Sequence, residues 1–138
     1  MRLTRVYRFP ASHRLHSGTL SDTENDALYG KCNNPFGHGH NYVVHVSVYG
    51  DVDAANGRVI DIGALDRFVR EQVIDPFDHR DLNVDVDDFQ SMVPTTENLA
   101  IAIERRLKGK WREHFFNVSL ERIKIEETPR NTFELRTL

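Results

Sequence analysis

Two histidines spaced two residues apart open the most regular segment of this 138-residue chain. His38 and His40 alternate with glycines, and apolar and polar residues then alternate clearly over residues 42–49. This alternation predicts a β-strand. Side chains two apart in an extended segment point to the same face, so both imidazoles can reach one metal ion.

A third histidine, His13, follows an earlier strand-like run over residues 3–9. Three neutral imidazoles without thiolate ligands suit Zn²⁺ that keeps an open fourth position, as catalytic zinc does. We therefore expect His13, His38 and His40 to bind Zn²⁺. Unrelated surface histidines are the alternative, and spacing alone does not exclude it.

Cys32, the one cysteine of the chain, precedes the histidine pair and follows Lys31. Nearby positive charge lowers the pKa of a thiol, so the sequence predicts a thiolate base. Asp78 and His79 supply the parts of a proton relay for that thiol, provided that folding brings them together. A buried inert cysteine and an exposed Asp-His pair are the alternatives.

Glu126 and Glu127 are adjacent in a strand-like run, so at most one of them faces a given pocket. The parity of Ile123 and Ile125 places Glu127 on the apolar face. A carboxylate there needs donors, and a heterocycle edge with two N–H groups would satisfy it in a fork. Two solvated glutamates are the alternative.

Composition limits the setting of this chemistry. A net charge of −3 and a pI near 6.1 do not indicate the basic surface typical of nucleic-acid-binding proteins. The apolar runs are too short to span a membrane. A start without an apolar signal segment and a single cysteine predict a cytoplasmic protein. We expect one domain over residues 1–138. A domain of this size is small for an enclosed active site, so active sites shared between subunits are favoured.

Changes of hydrophobic period predict the element order ββααββ. The first helix should begin after Asp61 and end at Pro76, and the second should begin near Thr95 and Thr96 and close at Gly109. Strands are predicted at residues 118–127 and 132–135, with a bulge in the first where its parity slips. The polar link over residues 12–42 is interpreted as a functional loop with a short helix. The expected fold class is α+β, an antiparallel sheet with two helices packed on one face.

Six segments combine these residues in a specific order. They are Phe9-Pro10-Ala11-Ser12-His13-Arg14-Leu15, Gly30-Lys31-Cys32-Asn33-Asn34-Pro35, Gly37-His38-Gly39-His40-Asn41-Tyr42, Asp78-His79, Thr95-Thr96-Glu97-Asn98 and Glu127-Thr128. In order and spacing, over nearly the whole chain, they resemble the 6-pyruvoyl tetrahydropterin synthase family. The resemblance implies the T-fold, whose trimers join their sheets in a barrel and stack as a homo-hexamer with active sites between subunits.

The resemblance also implies residue roles. It gives His13, His38 and His40 as zinc ligands, and Cys32 as the general base with Asp78 and His79 as its relay. Glu127 is the pterin anchor and also moves protons, and Thr95 and Thr96 line the pterin pocket. Phe36 and Glu126 depart from the family pattern, which has Asn and an aromatic residue there, and both departures concern the pocket rim.

The implied reaction eliminates triphosphate from a small-molecule pterin, 7,8-dihydroneopterin triphosphate, to give 6-pyruvoyl tetrahydropterin without a nicotinamide cofactor. A carbon–oxygen lyase is therefore expected. The alternative is 6-carboxytetrahydropterin synthase of queuosine (deazapurine) biosynthesis, which uses the same fold, zinc and substrate but releases acetaldehyde. A zinc hydrolase and a non-catalytic zinc- or pterin-binding module are hypotheses from other classes.

Overall fold

A computed structural model describes residues 1–137, in which one sheet carries its helices on a single face. The helices and strands are β1 (Arg2–His13), α1 (Asp22–Tyr29), β2 (His38–Gly50), α2 (Ile62–Val69), α3 (Asp75–Phe77), β3 (Arg80–Asp81), α4 (Leu82–Asp85), α5 (Thr96–His114), β4 (Val118–Thr128) and β5 (Asn131–Arg136). Short 3-10 turns cover Gly30–Asn33 and Asp87–Phe89, and a π-helical turn, Arg70–Ile74, joins α2 to α3.

The sheet confirms the predicted fold class. Its order is β3-β1-β2-β4-β5, and the four long strands are all antiparallel to their neighbours. The two-residue strand β3 was not predicted, since two residues carry no detectable period; it pairs in parallel with Ala11 and Ser12 of β1. The order ββααββ holds for the long strands and for α2 and α5, which follow β2.

The core lies between the sheet and the helices. On β2 the alternating residues Tyr42, Val44, Val46 and Val48 are fully buried. They form one apolar cluster with residues of α2 and α5, among them Leu65, Phe68, Leu99, Ile103 and Leu107. Each such side chain contributes about 1.5–3 kcal/mol by leaving water. The core therefore fixes the sheet, and with it the positions of residues at the ends of its strands.

Strand β4 departs from regular pairing twice. Its register with β2 skips Glu121, which confirms the bulge predicted from the slip of parity. Its register with β5 skips Glu127, a second irregularity that sequence parity does not reveal. A residue skipped by the ladder can be aimed independently of the pleat, and such positions are frequent beside active sites.

The predicted end of the first helix is correct to within one residue, and the predicted end of the second is wrong. The helical path that starts with α2 ends at Phe77, one residue after Pro76, which lies in the first turn of α3, where a residue without an N–H group is tolerated. Helix α5 continues past Gly109 to His114, since Trp111 buries its ring and donates a hydrogen bond of 2.7 Å to the Val118 carbonyl.

The link between β1 and β2 contains the predicted short helix, α1. Ser21 and Glu24 form a capping box at its start. The fully buried Asn25 ties the helix to the preceding loop by accepting from the Ser17 N–H and donating to the Ser17 carbonyl. No helix within residues 1–137 is long and apolar enough to cross a membrane.

Candidate metal and substrate site

Three histidines meet where β1 ends and β2 begins. His13 is the last residue of β1 and pairs directly with His38, the first residue of β2, and His40 follows on the same face. The Nε2 atom of His38 lies 3.1 Å from that of His13 and 3.2 Å from that of His40. Folding therefore brings the three predicted ligands together at one point.

The two nitrogen–nitrogen distances from His38 fit a tetrahedral cation. Two nitrogens bound to zinc at about 2.0–2.1 Å stand roughly 3.3 Å apart, close to the spacing seen here. His13 also directs Nδ1 at the Pro94 carbonyl, 2.9 Å away, so its proton belongs on that nitrogen and Nε2 keeps a free lone pair. Metal-bound histidines commonly have such a carbonyl behind them.

Burial keeps two of these imidazoles neutral. It lowers the pKa of His13 to about 4 and also lowers the pKa of His40. A neutral imidazole is the form that binds metals, so at neutral pH no proton has to be displaced from these two rings.

Cys32 lies beside the histidines, as predicted. Its sulfur and ligand atoms of His13 and His38 all lie within 4.8 Å of one another, and its carbonyl accepts a 2.7 Å hydrogen bond from the Leu15 N–H. The expected lowering of its pKa by Lys31 is wrong. Burial, followed by the charge of Glu127, raises the pKa of the Cys32 thiol, while Lys31 is exposed to solvent.

Glu127 faces the cluster and Glu126 does not. Glu127 accepts a short hydrogen bond from the buried Thr96 hydroxyl, and one of its oxygens lies within 4.8 Å of ligand atoms of His13 and His40. Glu126 lies on the other face of the sheet, 2.8 Å from the His45 ring, and this hydrogen bond lowers its pKa. The prediction of opposite faces is confirmed.

Thr95 and Thr96 differ in their structural roles. Thr95 caps helix α5 by accepting from the Asn98 N–H, and Thr96 is the first helical residue. Because Pro94 contacts His13 and Thr96 contacts Glu127, the start of α5 reaches both the metal candidates and the carboxylate.

Asp78 and His79 lie together but show no described hydrogen bond to Cys32. Nδ1 of His79 lies 2.9 Å from an Asp78 carboxylate oxygen, and the His79 side chain is 78% exposed. The His79 N–H donates to the Pro10 carbonyl, and its backbone is left-handed at φ 56°. The ring lines a cleft of which Ser12 and His40 are also part.

Several residues at the site were missed in the sequence. Pro94 and Tyr42 approach Nδ1 of His13, at 2.9 Å and 3.3 Å. Asn33, which follows Cys32, is buried, accepts from His16 and donates to Asp26. A backbone carbonyl carries no sequence signal, whereas an Asn in a turn-forming segment beside Cys32 could have been suspected of such a role.

Comparisons with known proteins identify the family of this chain. The model of the family described as 6-pyruvoyl tetrahydropterin synthase matches residues 2–137. The chain belongs to this family. A 6-pyruvoyl tetrahydrobiopterin synthase of Poecilia reticulata is 52% identical over 101 residues, covering 73% of this chain and 69% of its own. The Homo sapiens protein of the same name is 50% identical over 101 residues, covering 73% and 70%.

A solved structure extends the likeness to the fold. The 6-pyruvoyl tetrahydropterin synthase of Caenorhabditis elegans superposes with a TM-score of 0.89 at 41% identity, covering 100% of this chain and 96% of its own. The expected T-fold and the expected enzyme type, a 6-pyruvoyl tetrahydropterin synthase-type lyase, are thereby confirmed. A 6-carboxy-5,6,7,8-tetrahydropterin synthase of Haemophilus influenzae is more distant, 29% identical over 124 residues, with 75% and 83% covered.

Proposed function

We propose that this enzyme converts 7,8-dihydroneopterin triphosphate to 6-pyruvoyl tetrahydropterin by eliminating triphosphate. The observation that carries the proposal is the convergence of His13, His38 and His40 beside Cys32 and Glu127. Its support is chemical: this one place offers cation ligands, a proton acceptor and a carboxylate anchor. The greater likeness to synthases named for the pyruvoyl product favours that product over the carboxy product.

The cation proposed for the three imidazoles is Zn²⁺. Support comes from the donor set, three imidazoles with no ring of thiolates around them, in which Nε2 of His38 stands 3.1 Å from that of His13 and 3.2 Å from that of His40. When bound, zinc supplies a Lewis acid that stabilises negative charge on substrate oxygens. Its positive charge would also oppose the raised pKa of the Cys32 thiol.

Cys32 is the proposed general base and Glu127 the proposed pterin anchor. Cys32 is half-buried at the cluster, where a thiolate could take a proton from a side-chain carbon of the substrate. Glu127, oriented by Thr96, offers a carboxylate to the paired N–H groups of a pterin edge. Thr95, which caps the same helix end, is assigned to the pocket wall.

A homo-hexamer with active sites between subunits is proposed for the assembly, with Asp78 and His79 as the relay of Cys32. Two features support it. Within residues 1–137, β5 and most of β1 keep one edge without a strand partner, which suits pairing with another copy. His79 is exposed and its ring contacts Asp78 rather than Cys32, so a neighbouring copy could use the pair. The expected cytoplasmic location stays a prediction.

Product identification tests the proposed reaction. Purified protein is incubated with 7,8-dihydroneopterin triphosphate, and the products are identified by mass spectrometry. Triphosphate with 6-pyruvoyl tetrahydropterin supports the proposal. Acetaldehyde with the carboxy product would show the 6-carboxytetrahydropterin synthase reaction instead. Hydrolysis without rearrangement of the side chain would indicate a zinc hydrolase, and unchanged substrate a binding module.

A further inference from the structure

Asn83 holds the peptide groups on both sides of Arg14, the residue that follows His13. The Arg14 N–H donates to Oδ1 of Asn83 at 2.7 Å, and the Arg14 carbonyl accepts from Nδ2 of Asn83 at 2.9 Å. The side-chain amide thus takes the place of a strand partner. It does so just beyond the point where β3 stops pairing with Ser12.

The other side of this strand end is closed as well. Gly37 packs so tightly that a Cβ atom there would stand 3.1 Å from the His13 carbonyl oxygen. His13 is also paired with His38 in the sheet, and its ring is directed by the Pro94 carbonyl. His13 therefore lies between two close backbone neighbours and the amide of Asn83, which leaves its main chain little freedom.

Asn83 is itself fixed before it meets Arg14. Its N–H donates to the Asp81 carboxylate, which caps the short helix α4. Asp85 of the same helix in turn accepts from the Asp81 N–H. These bonds order the turn that carries the Asn83 side chain, so the amide is presented in one orientation.

Arg14 passes this restraint on to the turn that contains Cys32. Its guanidinium donates from Nε to the Asn33 carbonyl at 3.1 Å, and the next residue, Leu15, donates its N–H to the Cys32 carbonyl. The short segment after β1 thus contacts α4, the end of β1 that carries His13, and the turn that contains Cys32.

We propose that Asn83 is a positioning residue that sets the His13 imidazole against His38 and His40 by clamping the Arg14 peptide. The inference rests on the proposed metal site. Groups that orient a ligand from outside the coordination sphere typically change metal affinity about 10- to 100-fold when removed. Asn83 differs from the usual case because it acts on the ligand's main chain rather than on its ring.

Metal affinity tests the inference without any turnover. Zn²⁺ affinity is measured by competition with a chelator, and the geometry of the site by the visible spectrum of the Co²⁺-loaded protein. Asn83→Ala should bind Zn²⁺ about 10-fold more weakly and show an altered Co²⁺ spectrum. Val84→Ala, in the same helix at a side chain that is 75% exposed, is the control and should match the wild type.

A second variant keeps the test valid if Asn83→Ala does not fold. Asn83→Asp keeps an acceptor for the Arg14 N–H and removes the donor to its carbonyl, so an intermediate loss of affinity is expected. Wild-type affinity and an unchanged Co²⁺ spectrum in a folded Asn83 variant would overturn the inference. A wild-type protein that binds neither metal would instead contradict the proposed function, and the inference with it.

Discussion

His13 shows how burial prepares a histidine for the proposed metal site. Its side chain is 1% exposed, its Nδ1 is directed at a carbonyl, and its pKa is lowered to about 4. The unfolded chain therefore binds a proton on this ring more readily than the folded chain does, at any pH between about 4 and 6.5.

The metal-free protein should consequently lose stability in acid. The free energy of unfolding should fall as the pH decreases from about 6.5 to 4, by up to about 3 kcal/mol from His13, with His40 adding in the same direction. Urea unfolding of the metal-free protein at a series of pH values measures this. His13→Gln should flatten the dependence, and an equal slope in that variant would contradict the role of His13.

Replacing Cys32 should separate Zn²⁺ binding from the proposed chemistry. Cys32→Ala should keep Zn²⁺, because the three imidazoles remain, but lose about 10²–10⁴-fold in kcat if the thiol is the base. Adding His79→Ala should cost much less in the Cys32→Ala background than in the wild type, since members of one relay are not additive. Steady-state kinetics with metal analysis measure both. Near wild-type triphosphate release by Cys32→Ala would move the weight to a hydrolase-type reaction.

Two adjacent glutamates provide a matched pair of variants. Glu127→Ala should raise KM for the pterin roughly 30-fold, since hydrogen bonds to a charged group are worth about 1.5–3 kcal/mol. Glu126→Ala removes the same atoms from the opposite face, where the partner is His45, and should change KM less than about twofold. Equal effects of the two changes on KM would contradict the assignment of Glu127.

At the scale of elements, the turn before β2 is the most restrictive. Gly37 has a left-handed backbone at φ 73° and abuts the His13 carbonyl, whereas Gly57 has nearly the same backbone, at φ 72°, with nothing near its missing side chain. Substitutions at these two glycines therefore separate the energetic cost of a left-handed backbone from the cost of a steric contact.

Alanine at these two glycines should have different consequences. Both changes should destabilise the protein by about 1–2 kcal/mol through the left-handed backbone alone. Gly37→Ala should in addition weaken Zn²⁺ binding, because the new Cβ pushes on the main chain of His13, a proposed ligand. Thermal unfolding and chelator competition measure the two effects. Equal Zn²⁺ affinity in the two variants would show that the contact does not restrain His13.

Local pattern predicted the long elements and the side-chain faces well. Alternation marked β2, and helical spacing of Leu65, Phe68 and Val69 marked α2, because these faces bury one continuous core. The end of α5 was missed because Trp111, beyond Gly109, finds its partner on β4 only in three dimensions. The residues with recognisable chemistry could be named from the sequence, and the three histidines, Cys32 and Glu127 do lie together. The contact of Asn83 with Arg14 could not, since it joins residues 69 positions apart.

At the scale of the whole molecule, the parts of the site meet at one end of the sheet, where β1 and β4 end and β2 begins. β1 and β2 bring the imidazoles, the start of α5 brings Thr96, and the bulge in β4 brings Glu127. Within residues 1–137, His79 is exposed beside Asp78, and β5 and most of β1 keep one edge without a strand partner, which suits the assembly proposed above.

Metal depletion and reloading test the central claim most directly. Triphosphate release from 7,8-dihydroneopterin triphosphate is measured on stripped protein, on protein reloaded with one equivalent of Zn²⁺, and on His38→Ala treated in the same way. Release should fall to background on stripping, return with Zn²⁺ in the wild type, and stay at background in His38→Ala. Undiminished release by the stripped wild-type protein would contradict a zinc-dependent reaction at these three histidines.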